Sequence, residues 1–492
     1  MKPSKWTRRT LLRQTAALAA GGAWLRVRRV KAQAGPQVVS PPAGPAMRAL
    51  SDYMSAALAR PLPADVLEKA KQHVLDTCAA MISGAELAPG RAALGFAKAY
   101  GGPATATVVA SPLRIGAIEA ALVNGVLAHA DETDDSHAPS VWHPGCAVVP
   151  AALAAGEHFG IEGAHFLRAV VLGYDVGSRV MATLRAAGPQ TYKSSHSIAG
   201  VFGAAAAAGC AARLTPQQMH WLLDYTAQQS SGIAAWSRDT DHIEKAFAFG
   251  GMPARSGVTS ALLVQAGWSG IDDIFSGENN FIVANAPGAD PARVSLDLLV
   301  DRLGARYEVM RTNIKKWTVG SPIQAPLDAL ENLRARRPFS ADDVRTMVVR
   351  VSGGDVVDNR DMPDISLQHM MAVMLLDGTA SFRSAHDKPR MNDPVIVRHR
   401  AKVRLIANDP AITGRQAIVE VTLRDGTLLT EHVSAVRGTA ENPMTRDEVT
   451  AKCRDLIVPV VGTAQWMRLS EQIFALDRLK SLTELRPLLQ RE

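Results

Sequence analysis

From about Met47 to Leu303, apolar side chains recur at helical spacing and strand-like alternation is scarce. Behind Pro63, Asp65-Val66-Leu67-Glu68 opens a helix whose stripe continues through Ala70, Val74, Cys78 and Met81. Arg114–His129 places Ile115, Ile118, Leu122 and Val126 on one face, and the stripe extrapolates to His129 and Thr133. Ser197–Cys210 is almost wholly small and apolar, which predicts a central buried helix with close neighbours; Asp224–Gln229 and Pro253–Ala266 read similarly.

After about residue 305 the period changes. Val344–Ser352 is β-branched and alternating, and Val395–Ile406 alternates Val397, His399, Ala401, Val403 and Leu405 with basic residues. Gln416–Leu423 and Thr427–Val436 flank Asp425-Gly426, the strongest short-range hairpin signal in the chain. Ser366–Leu376 reads as a helix, and helical spacing returns after Asn442-Pro443 over Arg446–Leu456 and Thr463–Leu476. The expected architecture is mainly α. A large all-helical domain (47–305) is followed by a smaller α+β domain with an antiparallel sheet (306–440). C-terminal helices (441–492) then pack back onto the helical domain.

Composition changes the picture at one end only. The chain has 492 residues and a formal net charge of +7, which invites a nucleic-acid reading. However, residues 1–34 hold nine of the 54 basic residues and no acidic one, leaving 45 basic against 47 acidic residues, a net of −2. Nothing in that body reads as a nucleic-acid motif. The basic segment itself resembles a twin-arginine signal peptide: Thr7-Arg8-Arg9-Thr10-Leu11-Leu12-Arg13, a short apolar stretch from Gln14 to Leu25, then Ala32-Gln33-Ala34. The stretch is far short of the ~20 residues that span a bilayer. The expectation is therefore export to the periplasm through the twin-arginine machinery, with residues 35–46 as a linker. Cys78, Cys146, Cys210 and Cys453 are widely spaced, without a C-x-x-C pair, and read as buried thiols.

The chemistry concentrates between His129 and Gly145, where Asp131, Glu132, Asp134 and Asp135 mix with His129, His137 and His143. Such groups donate and accept protons near neutral pH. Glu132 and Asp135 would share a face if the preceding helix continues. Metal ligation and a solvated acidic helix end are the competing readings. No recognised ligand spacing such as H-E-x-x-H is present, and the flanking apolar helices aim the cluster inward.

His129, Glu132, Asp134, Asp135, Ser136, His137, Pro139, Ser140, His143 and Pro144 resemble the H-x-x-D-x-D-D-T-H-x-P-S-x-x-H-P segment of the MmgE/PrpD family. Further pieces follow in order: Gly173-Tyr174-Asp175-Val176, Gly200–Ala206, Glu244-Lys245 with Arg255-Ser256-Gly257, and Lys315-Lys316-Trp317 through Pro322 and Asp328. The resemblance covers residues 45–470. It implies a homodimer whose site lies between a helical domain and a lid, with no metal or organic cofactor and a small di- or tricarboxylate as substrate. By position it assigns catalytic roles to Glu132 (where the family usually has Asp), Ser136 (Thr in the family), His143 and Lys245. Asp135, His137, His196, Lys315 and Lys316 are candidates for substrate binding. The family's R-G-F/W-H-P-T histidine has no clean match, and His196 or Lys193 stands nearest to it.

Elimination of water, loss of carbon dioxide and epimerisation beside a carboxylate share one demand. Each puts negative charge next to a group already anionic, so the site needs a tuned acid or base and cations. The favoured expectation is a hydro-lyase dehydrating a 2-hydroxy acid of the 2-methylcitrate type. Decarboxylation of a cis-aconitate-like acid, epimerisation, a non-catalytic periplasmic carboxylate-binding protein and a metal-dependent hydrolase are the alternatives.

Overall fold

The computed structural model describes residues 42–189, 192–286, 288–290 and 294–491. The expected signal segment and most of the expected linker lie outside the described residues. Helix α1 (Pro45–Ser55) already begins inside the span expected to be linker, with Pro45 at its first turn. Then come α2 (Ala64–Gly84), α3 (Ala88–Tyr100), the short antiparallel pair β1 (Ala106–Thr107) and β2 (Arg114–Ile115), and α4 (Ala117–Ala128). A fifteen-residue connection follows, then α5 (Pro144–Phe159), α6 (Gly163–Ala187), α7 (Ser195–Ala211), α8 (Pro216–Gln229) and α9 (Met252–Gln265).

α7 is the hub of this part. It packs against α5, α6 and α9, and every residue from Ser197 to Ala211 is buried. Its run of alanine and glycine lets neighbouring helices approach closely, so dispersion and apolar burial hold the centre without aromatic bulk. Among the described residues no helix is long and apolar enough to cross a membrane.

The smaller part carries α10 (Ser321–Arg336), β3 (Val344–Val351), α11 (Leu367–Asp377), α12 (Pro394–Arg400), β4 (Val403–Ile406), β5 (Ala417–Leu423) and β6 (Leu428–Val433). The sheet order is β4-β3-β5-β6. β3, β5 and β6 are antiparallel, and the hairpin turns at Asp425-Gly426, where Gly426 has φ +89°. β4 instead joins β3 in parallel, so the sheet is mixed. The reason is the long connection between them, which runs through α11 and α12 and brings the chain back in the same direction. α10 and α11 cover the inner face, and this part has its own apolar core from Trp317 to Val436.

Three local expectations change. The alternating Val395–Ile406 run is a strand only over Val403–Ile406. Its first half is α12, started by Asp393, whose side chain accepts from Val395 N at 2.7 Å, and by Pro394 at the first helical position. Ile396 and His399, three apart, are its buried residues. Ile115 lies in β2, not on the following helix. Finally, α4 stops at Ala128, so Glu132 and Asp135 do not share a helix face.

After the lid, α13 (Arg446–Phe474) opens on a Thr445/Glu448 capping box and breaks at Gly462 (φ 81°). It packs along α2, and Arg446 pairs with Glu68. Lys452 donates to Asp76 Oδ1 at 2.6 Å and to the Thr133 carbonyl at 2.9 Å. Burial pushes the Asp76 carboxyl up to about 6, against the pull of Lys452. Removing the ammonium strands a buried charge. Lys452→Met is expected to cost ~3–5 kcal/mol of unfolding free energy at neutral pH. Adding Asp76→Asn returns most of it, as measured by denaturant titration; equal losses in both variants would contradict the pairing.

Candidate active site

The connection between α4 and α5 is irregular backbone, so its polar groups need partners from elsewhere. Asp131 holds the first turn, accepting from Thr133 N at 2.9 Å and Thr133 Oγ1 at 2.6 Å. Ser136 and Asn313 exchange backbone hydrogen bonds of 3.0 and 2.8 Å, and His137 pairs across a tight turn with Trp142. Asp135 accepts from Tyr174 Oη at 2.6 Å and Gly145 N at 2.8 Å, with His73 Nδ1 at 2.6 Å. His137 Nε2 lies 3.1 Å from Glu308, whose carboxyl is held down to about 2 by His137, Arg311 and Arg306 against the effect of burial. These contacts form the rear of the loop and anchor it to α2, α6 and the segment before the lid.

The front of the loop faces a cavity of about 290 Å³ between the helices and the lid. Glu132, His143, His196, His242, Lys245, Trp236 and Phe249 line it on the helical side, and Arg360, Met362, Ile365 and Arg415 on the lid side. Glu132 is ion-paired to Lys245. Lys315 Nζ donates to the Glu132 carbonyl at 2.7 Å and lies 3.5 Å from its carboxylate. Burial alone would raise this carboxyl, but the two ammonium groups hold it well below the usual carboxylate range. Asp134 sits behind it, 2.8 Å from His143 Nδ1 and 3.0 Å from His129 Nδ1, and these two rings likewise outweigh burial and keep it ionised.

Burial depresses the imidazoles of His143 and, more strongly, His196. With Nδ1 of His143 donating to Asp134, a neutral His143 presents Nε2 as a base. His196 stacks on Phe249 at 3.8 Å between centroids, and His129 stacks on the same ring at 4.5 Å. Lys245 Nζ lies 5.3 Å from the Phe249 centroid and 5.6 Å from that of Trp236. Phe249 reaches this place from a π-helical turn, Phe247–Gly251. That turn lies against α4 at a glycine contact: a Cβ on Gly250 would stand 2.0 Å from the Gly125 carbonyl.

The lid is tied to the same loop. His386 Nε2 lies 3.1 Å from Asp131, and Asp131 with Asp364 raises the imidazole to about 9 although burial opposes it.

Of the residues singled out from sequence, Glu132, His143, His196 and Lys245 converge on the cavity, with Lys315 directly behind Glu132. Asp135 and His137 are buried in the loop's rear, and Ser136 is held through its backbone. Lys316 lies apart, paired to Glu331 and stacked on Trp317 at 4.4 Å. His242, Trp236, Phe249, Arg360 and Arg415 were not singled out. His242 stands three residues before Lys245, a spacing that suggests one face of a helix, although the helix itself begins only at Ile243. The two arginines lie in lid loops without any motif.

His129, Asp134 and His143 offer ligand atoms within 4.8 Å of one another, as do His129, Glu132 and His242. A cation in either place would face the ammonium groups of Lys245 and Lys315.

Residues 48–293 match the MmgE/PrpD N-terminal domain, and residues 317–477 match the MmgE/PrpD C-terminal domain. Cis-aconitate decarboxylase of Aspergillus terreus is 24% identical over 467 residues, 87% of this chain and 92% of its own. The human cis-aconitate decarboxylase is 26% identical over 411 residues, 79% of this chain and 83% of its own. A cis-aconitate decarboxylase-like protein of Aspergillus oryzae, oryM, is 24% identical over 487 residues, 92% of this chain and 99% of its own.

The depressed imidazole of His196 has a measurable consequence. Above pH 6.5 the ring is neutral both folded and unfolded. Below it, the unfolded chain takes up a proton that the folded chain refuses, so this ring costs up to about 1.4 kcal/mol of stability per pH unit. His196→Gln removes that loss, so the variant should gain stability relative to the natural protein between pH 7 and pH 5. A constant gap across denaturant titrations in that range would contradict it.

Proposed function

The chain belongs to the MmgE/PrpD family, and on that footing we propose that it is a lyase that removes carbon dioxide from a small unsaturated tricarboxylate of the cis-aconitate kind. The carrying observation is the composition of the cavity. Cations from both sides (Lys245 from the helices, Arg360 and Arg415 from the lid) surround a space that also has an apolar wall and one proton-transferring pair, His143 with Asp134. The names of the relatives support the substrate class.

A polycarboxylate is drawn in by these cations and oriented by them. The carboxylate to be lost lies against Trp236, Phe249, Met362 and Ile365, where an anion is poorly solvated and neutral carbon dioxide is favoured. When the carbon–carbon bond breaks, its electron pair stays on the substrate and spreads through the double bond into a remaining carboxylate. Lys245 and the arginines hold that charge. His143 supplies the proton that the carbon then takes. Its proton affinity rises beside a bound polyanion, and Asp134 stabilises the charged ring. The balance is one tricarboxylate and one proton in, one dicarboxylate and carbon dioxide out. Glu132 keeps Lys245 directed into the cavity.

Dehydration of a 2-methylcitrate-like 2-hydroxy acid is the second reading. What favours it is the lowered imidazole of His143, which makes its Nε2 a ready base for abstracting a proton beside a carboxylate. Residues 1–34 support the further reading that the protein works outside the cytoplasmic membrane after twin-arginine export, and the family resemblance supports a homodimer.

The deciding experiment offers the purified protein cis-aconitate, citrate, 2-methylcitrate, itaconate and malate, and follows carbon dioxide and alkene separately. Carbon dioxide from the unsaturated acid is expected. Alkene without carbon dioxide, from hydroxy acids only, would assign the hydro-lyase, and binding without turnover would assign a carboxylate-binding protein. Lys245→Ala should abolish turnover while the chain stays folded. His143→Asn should lower kcat by ~10²–10⁴-fold.

A further inference from the structure

His242 is the least explained residue of the cavity. It lines the space, is 4% exposed, and neither ring nitrogen has a hydrogen-bond partner among the described residues. Buried polar side chains are ordinarily satisfied. Its backbone is also unusual, with φ +67°, the left-handed region that favours glycine and asparagine. The turn that imposes this is built from both sides. The Asp239 carboxylate accepts from Asp241 N at 3.0 Å and Lys245 N at 2.9 Å, and Asp241 accepts from Ile243 N at 3.2 Å. The result is a strained residue with an unpartnered ring at the crest of a rigid turn, beside the cation of the site. Strain and unsatisfied polar groups of this kind gather at functional positions.

Lys245, His129, Glu132, Asp131 and Asp239 are charged and titratable groups around the ring. Burial, Lys245 and His129 push its imidazole down to about 3, so it works as a neutral donor and acceptor throughout the usual pH range. His129 and Glu132 bring ligand atoms close enough for a shared cation, but the ammonium groups of Lys245 and Lys315 disfavour one and favour an anion.

We propose that His242 is a catalytic residue of this site, donating a ring N–H to the substrate carboxylate that Lys245 attracts. This rests on the reading of the site as a polycarboxylate lyase. Charge grows on that carboxylate as the bond breaks, so the hydrogen bond strengthens from ground state to transition state, and its loss falls mainly on kcat. A neutral donor adds this stabilisation without adding a third positive charge beside Lys245 and Lys315.

His242→Gly and His242→Asn test it in the full chain. Glycine relieves the left-handed strain and deletes the ring. Asparagine tolerates the same backbone and retains an N–H donor. The expected result for His242→Gly is an unchanged or higher Tm with kcat lowered ~10²-fold and KM changed far less. Asparagine should recover a substantial part of kcat. A lowered Tm with kcat within about twofold of the natural protein would make the ring structural and overturn the proposal. So would activity abolished by a chelator and restored by zinc. If the natural protein turns over none of the acids but cis-aconitate still raises its Tm, the lyase reading fails. The catalytic role then falls with it, and loss of that shift in His242→Gly would leave His242 as a carboxylate-binding donor alone. If no tricarboxylate shifts the natural protein or is turned over, both fail.

Discussion

Two buried carboxylates, Glu132 and Asp134, remain ionised because partners offset their burial: the ammonium groups of Lys245 and Lys315 for Glu132, and the rings of His129 and His143, with Lys315 3.8 Å away, for Asp134. Lys245 comes from the turn before the π-helical segment and Lys315 from the segment that leads into the lid. A carboxylate taken out of water without such partners costs several kcal/mol or becomes protonated. The architecture follows from that requirement. The loop must be irregular to turn its carboxylates inward, and the lid must begin where Lys315 meets Glu132. The helices beneath must then supply everything the loop backbone lacks.

The loop divides its polar residues by face. Asp135, Ser136 and His137 look rearward and hold the loop to α2, α6 and the Glu308 region. Glu132 and His143 look forward, with Asp134 behind them. The loop backbone is irregular and not helical, so residues as close in sequence as Glu132 and Asp135 do opposite work. Asp135 shows the division best: its hydrogen-bond partners His73, Tyr174 and the Gly145 amide belong to the scaffold. The family-like Tyr174 therefore acts at one remove, by holding a carboxylate that holds the loop.

The lid adds what the helices cannot. Arg360 and Arg415 bring positive charge over the cavity, and Met362 and Ile365 bring apolar surface. His386 meets Asp131, one residue before Glu132. A cavity with cations on both walls and a buried imidazole–carboxylate pair at its base suits chemistry in which an anion gains further negative charge. The aromatic stack of His129, Phe249 and His196 keeps these rings in place and water-poor.

Much of this was legible in the residues. The change from helical to alternating period near residue 305 marked the two kinds of core, and Ser197–Cys210 marked the central helix through its small side chains. Asp425-Gly426 marked the hairpin. The density of carboxylates and imidazoles between His129 and Gly145 marked the site, because a cluster that cannot be solvated between apolar helices must be doing chemistry or holding something that does. Local rules failed where two signals competed. Val395–Ile406 alternates, yet Asp393-Pro394 starts a helix there, since the Asp393 cap and the fixed φ of Pro394 favour a helical first turn. The sheet's parallel edge and the end of α4 at Ala128 were likewise decided elsewhere. Tertiary structure alone decided which carboxylate faces the cavity, that Lys315 enters from behind while Lys316 leaves for Glu331, and that His242, Arg360 and Arg415 share one space. The sequence determines which groups are available and which backbone each prefers. Which of them meet depends on contacts between segments more than a hundred residues apart, and no local pattern encodes those.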